Sequence, residues 1–324
     1  MSIPEIFKAF DQLNVLIIGD LMLDAYVWGK VDRISPEAPV PVVLAQHREL
    51  RLGGAGNVVL NVQALGAKAT ICSVIGQDNY GDSLIDELKD RGLPIEGILQ
   101  SPDRITTVKE RIIAGSQQVV RIDTETDKPI NDTERAALTK QIKALAKNAH
   151  VIIFEDYDKG VLSPELIADI TAFANAAGIP TVVDPKKRNF MAYANTTLFK
   201  PNLKELKEGL NISFDVKNPQ ELEAAAQQLK EKLNLGGTLI TLSERGVYID
   251  YQNQKEHLPA HIRQIADVSG AGDTVISIAA CCVALELPPW QIAALSNLGG
   301  GLVCESVGVV PINKTALEQE ALLI

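Results

Sequence analysis

Asp267–Thr274 reads DVSGAGDT, and the apolar stretch VISIAACCVALEL follows it at Val275–Leu287. A glycine-rich turn that runs into a buried helix leaves main-chain N–H groups without partners at the helix start. The aligned peptide dipoles add positive partial charge at the same place, so such a terminus suits an anion. Gly270 and Gly272 permit close backbone approach and unusual φ angles. Asp273 then sits where negative charge will develop. A carboxylate beside an anion site opposes simple phosphate binding. It makes sense if the acid takes a proton from a hydroxyl while the amides stabilise a transferring phosphoryl group. The competing reading makes Asp273 a plain helix cap, and a lone GxGD does not decide between the two. Neither a Walker A motif nor GxGxxG is present, and GGAGN at Gly53–Asn57 lacks the Lys-Ser/Thr ending.

Outward from this turn the chain alternates. Apolar, β-branched runs at Val15–Ile18, Thr70–Ile75, Val151–Phe154, Thr181–Val183, Leu198–Lys200 and Thr238–Leu242 predict buried strands. Helical patterns fall between them at Asp82–Arg91, Asp132–Lys147, Pro164–Ala177, Asn202–Leu210 and Pro219–Leu233. The alternation predicts an α/β fold, a doubly wound and mostly parallel sheet with helices on both faces. Ligands then belong at the carboxyl ends of the strands. Two segments break the rhythm. Residues 24–50 carry Pro36, Pro39 and Pro41, and residues 105–123 alternate around a turn at Gly115–Ser116, which predicts a β-hairpin. Together they suit a small sheet serving as a lid or dimer surface; an ordinary edge extension is the alternative. No repeat or linker divides the 324 residues, so one domain with inserted lid segments is expected.

Composition excludes several classes. The net charge of −10 argues against nucleic acid and against an anionic membrane surface as partners. Four cysteines, Cys72, Cys281, Cys282 and Cys304, have no CxxC spacing and read as buried hydrophobes in a reducing compartment. His257 and His261 are separated by Pro259, which argues against a helical metal pair. The N-terminus has no basic region followed by an apolar core, and Val275–Leu287 is too short for a bilayer, which needs roughly 20 residues. A cytoplasmic protein is expected.

The Asp267–Ser277 string resembles the C-terminal signature of the PfkB (ribokinase-like) carbohydrate kinases. GGAGN at Gly53–Asn57, with Gly66 and Gly76 beyond it, resembles their N-terminal signature; Val59 departs from it where a small residue is usual. Closer likeness lies in IIGDLMLDAYVWGKVDRISPEAPVPVV (17–43), EDYDKGVL (155–162) and VVDPKKRNF (182–190), which look like the D-glycero-β-D-manno-heptose 7-phosphate kinases. In that family the kinase is often fused to an adenylyltransferase. With the chain ending at Ile324 and no HxGH-type motif, nucleotide activation is expected of a separate protein.

The resemblance implies roles. Asp273 matches the catalytic base, and Gly270, Ala271 and Gly272 match the anion hole for the γ-phosphate of ATP. Asn202 and Glu205 match an Asn-x-x-Glu element, with Glu205 acting on Mg²⁺ through water, as befits a hard cation that keeps its waters. Ser243, Glu244 and Gly246 would approach the nucleotide, and Asn297 would border the adenine. On the sugar side stand Asp20, Asp24, Gly53, Gly54 and Asn57. A phosphorylated sugar needs cations. Lys186 is the first choice, then Lys109 and Arg111, with Arg121, Lys159 and Arg188 as further candidates. Each residue also has a bland reading as a cap, a turn or a solvated charge. The expected reaction makes heptose 1,7-bisphosphate and ADP, and the expected assembly is a homodimer through the lid. A kinase of fructose 1-phosphate or tagatose 6-phosphate, or a silent sugar or nucleotide sensor, are the alternatives. Whether a monovalent cation is also required stays open at this point.

Overall fold

Neighbouring residues of the first strand are buried in different cores. Val15 and Ile17 belong to one apolar cluster, Leu16 and Ile18 to another. Val151 and Ile153 against Ile152 and Phe154 repeat the division. Period-two alternation sends successive side chains to opposite faces, so a continuous apolar run marks a strand covered on both sides.

The computed structural model describes residues 1–115, 117–261 and 263–323. Its strands are β1 (Asn14–Gly19), β2 (Leu21–Ile34), β3 (Pro41–Gly54), β4 (Lys68–Gly76), β5 (Ile98–Ser101), β6 (Val108–Ala114) and β7 (Gln117–Thr124). They continue with β8 (Val151–Glu155), β9 (Thr181–Asp184), β10 (Leu198–Phe199), β11 (Gly237–Thr241), β12 (Val247–Tyr251) and β13 (Gln254–Leu258). Nine of them form one sheet in the order β13-β12-β11-β10-β9-β8-β1-β4-β5. All its pairs are parallel except β11–β12 and β12–β13. The expected mixed α/β, mostly parallel architecture is present, with an antiparallel hairpin added at one edge. Helices Ala55–Ala64, Ala271–Ala284 and Pro289–Val303 cover the Val15 face. Helices Asp132–Leu145, Pro164–Ala177, Leu203–Leu210 and Pro219–Leu233 cover the other.

The two segments that break the α/β rhythm meet in a second sheet of order β3-β2-β6-β7. The proline-bearing segment is longer than its sequence suggests. It forms two 14-residue strands whose ends run into the main fold. The predicted hairpin is the antiparallel β6–β7 pair, and β6 also runs parallel to β2, with Asp24 opposite Lys109. Of the turn expected at Gly115–Ser116, Ser116 lies outside the described residues. All eight residues of β7 are exposed, including Val119, Val120 and Ile122.

The parallel strands deliver their carboxyl ends to one rim. Asp20, Glu155, Asp184 and Lys200 all follow or end such strands, and all are at least 96 % buried. Helix Ala271–Ala284 starts at the same rim with Gly270 at φ +80°, a left-handed angle that favours glycine.

Candidate active site

Asp273 occupies the first turn of helix Ala271–Ala284, whose N-terminus has no capping side chain. Thus Asp273 is not the helix cap. Its carboxylate is instead held by other elements. Tyr157, on the loop after β8, donates its hydroxyl to Oδ1 at 2.9 Å. The buried Asn57, in the first turn of helix Ala55–Ala64, favours the charged form of the same carboxylate. Burial, and then the negative charge of Asp184, push the Asp273 carboxyl up to about 6, against the opposing Tyr157 hydrogen bond and the nearby Asn57 amide. That value suits a general base working near neutral pH. The turn before it leaves the Gly272 and Asp273 amides without a side-chain cap, while the Ala271 N–H points at Val268 O, 3.3 Å away. A Cβ on Gly272 would lie 3.7 Å from both Asp184 Oδ2 and Lys200 Nζ, so the expected anion hole faces this ion pair.

Asp184 and Lys200 are bound at 2.8 Å, both nearly inaccessible. Lys186 lies 3.9 Å from Asp184 and 3.3 Å from Glu205, and its ammonium sits 5.2 Å from the Tyr157 ring centroid. Burial disfavours the Lys186 ammonium, but Asp184 and Glu205 outweigh it and hold the group charged. Lys186, the first choice among the substrate-phosphate cations, is thus paired with acids of the rim. Glu155 is fully buried with neither carboxylate oxygen hydrogen-bonded. Burial, then Asp184 and Asp273, push its carboxyl well above the ordinary range. One oxygen from each of Glu155, Asp184 and Asp273 lies within 4.8 Å of the others.

Asn202 and Glu205 form a reciprocal capping box on helix Leu203–Leu210. Asn202 accepts from the Glu205 amide at 2.9 Å, and Glu205 Oε2 accepts from the Asn202 amide at 2.8 Å. Both hold the helix start beside the rim. Ser243, Glu244 and Gly246 lie in the turn from β11 to β12. Gly246 has φ +86°, and a Cβ there would meet Leu258 O at 2.0 Å, so the turn itself demands glycine. Glu244 is largely exposed and pairs with Arg245 at 3.6 Å. Asn297 donates Nδ2 to Pro259 O at 2.8 Å and so pins the segment after β13.

The sugar-side expectations divide. Asp24, 6 % exposed, pairs with Arg111 across the second sheet. A Cβ on Gly53 would stand 2.5 Å from Asp24 Oδ2, so Gly53 makes room for that acid. Gly54, at φ +58°, is where β3 enters helix Ala55–Ala64. Asp20 accepts three main-chain N–H groups, from Tyr157 at 2.9 Å, Lys159 at 3.1 Å and Val161 at 3.0 Å. Its oxygens thus fix the 157–161 loop. Lys109 pairs with Glu125 at 3.3 Å and Asp123 at 3.6 Å, while Lys159 pairs with Glu125 at 3.0 Å. Arg121 is taken by Asp123 and Arg188 by Asp127. Sequence reasoning did not single out Tyr157, Glu155, Asp184 or Lys200. The available signal was position, since each follows or ends a predicted parallel strand.

A model of the pfkB family of carbohydrate kinases matches residues 12–316. The chain belongs to that family. Its members are phosphotransferases acting on sugars. The "Bifunctional protein HldE" of Syntrophotalea carbinolica is 40% identical over 319 residues, covering 98% of this chain and 65% of that protein. The protein of the same name from Methylobacillus flagellatus is 43% identical over 311 residues, covering 96% and 63%. The chain thus spans slightly less than two thirds of these relatives' length. Among solved structures, Escherichia coli phosphofructokinase-2 in complex with potassium superposes with a TM-score of 0.79 at 18% identity, covering 96% of this chain and 98% of the other. Arabidopsis thaliana ribokinase complexed with ribose and ATP gives 0.73 at 15% identity, covering 95% and 99%. These structures share the fold of this pfkB chain. Among the described residues, no helix is long and apolar enough to cross a membrane.

Two outcomes follow from the buried base. The native Asp273 carboxyl holds a proton up to about 6, whereas an unfolded one releases it near the ordinary 3.8. The native state therefore loses stability as pH rises through that window. Asp273→Asn should raise the melting temperature at pH 8, by an equivalent on the order of 1–3 kcal/mol, with the gain shrinking as pH falls through 6. A melting temperature unchanged or lowered at pH 8 would refute the burial strain. Tyr157→Phe removes a hydrogen bond that favours the carboxylate, so the acid limb of kcat/KM should move up by roughly 0.5–1 pH unit.

Proposed function

We propose that the chain is an ATP-dependent kinase that phosphorylates the anomeric hydroxyl of D-glycero-β-D-manno-heptose 7-phosphate. The observation that carries the kinase chemistry is Asp273, a buried acid held by the Tyr157 hydroxyl at an uncapped helix N-terminus. Support for the sugar comes from the relatives named HldE, at 37–43% identity over most of the chain. Asp273 removes the proton from the anomeric hydroxyl, and the oxygen so exposed attacks the γ-phosphorus in line. The γ-phosphoryl bond to ADP breaks as the new ester forms, giving heptose 1,7-bisphosphate. The main-chain amides of Gly272 and Asp273, at the uncapped helix start, orient the γ-phosphate and stabilise its charge. Asp24 and Asn57, with the backbone of Gly53 and Gly54, would hold sugar hydroxyls. Ser243, Glu244, Gly246, Asn202 and Asn297 border the nucleotide side.

The donor set at the rim fits Mg²⁺. Glu155 offers two buried oxygens that no hydrogen bond satisfies, beside Asp184. Hard carboxylate oxygens are what this ion prefers. Glu205, engaged by Asn202 and Lys186, would reach it through water. When bound, the ion supplies positive charge to the phosphate oxygens. The potassium complex of Escherichia coli phosphofructokinase-2 supports testing a monovalent cation as well. We further propose a homodimer through the second sheet. Its open edge strand β7 and the exposed Val31, Val120 and Ile122, which the register puts on one face, are an apolar, unpaired surface of the kind that a second copy covers.

The decisive assay is ADP release from Mg·ATP across a panel of phosphosugars. Heptose 7-phosphate should give the highest kcat/KM; a clear preference for fructose 1-phosphate or tagatose 6-phosphate would replace the substrate, and silence across the panel would favour a sensor. Asp273→Asn should lose about 10²–10⁴ in turnover while still binding nucleotide, and full activity would remove the assigned base. Sedimentation at micromolar concentration should show a dimer, and Ile122→Glu should yield a monomer.

A further inference from the structure

Three charged side chains tie the second sheet to the main one. Lys109 lies on β6, Glu125 follows the end of β7, and Lys159 lies on the loop after β8. One Glu125 oxygen is 3.3 Å from the Lys109 ammonium and the other is 3.0 Å from that of Lys159. The lysines are 20% and 18% exposed, the glutamate 32%. Burial works against the Glu125 charge, but Lys159 and Lys109 more than offset it and hold the carboxyl below its ordinary value. Lys109 also has Asp123 at 3.6 Å, and that acid is otherwise occupied by Arg121 at 2.8 Å.

We infer that Lys109 and Lys159 form a phosphomonoester subsite and that Glu125 is its resident stand-in anion, displaced when substrate arrives. A single carboxylate brings one charge to two ammonium groups. A phosphomonoester brings nearly two charges and three strong acceptor oxygens. Glu125 lies just beyond the last residue of β7, so its side chain can leave without breaking a strand ladder. The setting matches a sugar phosphate in two further ways. Lys109 stands opposite Asp24 in the β2–β6 register, beside the acid placed to accept sugar hydroxyls. Lys159 is two residues past Tyr157, which touches Asp273. One short loop therefore spans from the base to the cations, and a sugar lying along it presents its hydroxyl at one end and its phosphate at the other. An unphosphorylated sugar has nothing with which to displace Glu125, so the same ion cluster selects for phosphosugars.

The identity of the ligand rests on the kinase reading above, but its test does not require turnover. Inorganic phosphate serves as the probe, titrated by calorimetry at low ionic strength against the full chain and its variants without nucleotide or sugar. Glu125→Gln should bind phosphate roughly two- to five-fold more tightly than the unsubstituted chain, the range that an exposed ion pair is worth. Lys159→Met should weaken binding by about tenfold in either background, and Lys159→Arg should restore it. Phosphate binding at the helix terminus contributes equally to all these chains and drops out of the comparison. Equal or weaker binding by Glu125→Gln overturns the inference, as does undiminished binding by Lys159→Met. Should heptose 7-phosphate prove not to be a substrate, these affinities would still decide the subsite.

Discussion

The layout of the site depends on Asp20. Its carboxylate sits at the carboxyl end of β1, almost wholly buried, and accepts main-chain N–H groups from Tyr157, Lys159 and Val161. Burying an acid is costly unless its oxygens are hydrogen-bonded, and three donors from one loop offset that cost. In return the loop has a single path. It carries the Tyr157 hydroxyl to Asp273 and the Lys159 ammonium to Glu125. Gly19 allows this arrangement, since a Cβ there would lie 2.0 Å from Glu155 O on the neighbouring strand.

Around this fixed loop the rim gathers more acid than base. Glu155, Asp184, Asp273 and Glu205 face Lys186 and Lys200. Each lysine stays charged because the acids outweigh the cost of its burial. The acids cannot all ionise as easily. Glu155, with no donor on either oxygen, is pushed toward its neutral form by burial and then by Asp184 and Asp273. A retained proton and a hard cation are two ways of satisfying the same oxygens. The chemistry of the rim thus follows from placing several strand-end acids within a few ångströms in a dry setting.

Much of the fold was legible because both faces of the main sheet are covered. Strands such as Val151–Glu155 read as unbroken apolar runs, and helix Pro164–Ala177 announces itself with Ser163, Pro164 and Gly178 at its ends. Of the second sheet, the β6–β7 hairpin was legible, but the extent of β2 and β3 and their pairing with it were not. β7 is exposed throughout and β6 is mostly half-buried, so neither shows contrast between faces, and the pairing of β2 with β6 joins segments far apart in sequence. At the site, Asp273 and its glycines were readable from a local motif. Asp20 illustrates what was not. A strand-end acid looks the same whether it faces a ligand or three amides of a loop about 140 residues away, a separation that only the tertiary structure resolves. Lys186 is similar, since its ion pairs depend on where Glu205 is brought by a different βα unit.

The two apolar layers have a consequence for how the molecule tolerates change. Helix Ala271–Ala284, which carries Asp273, is rooted in the core on one face of the sheet, while Leu206 and Leu210 root the Glu205 helix in the core on the other. The proposed base and the acid proposed to reach the cation are thus moored to separate bodies of packing, with the strand ends as their common frame. A substitution that loosens one layer shifts one half of the chemistry and leaves the other in register, so each half can drift and be retuned independently over generations.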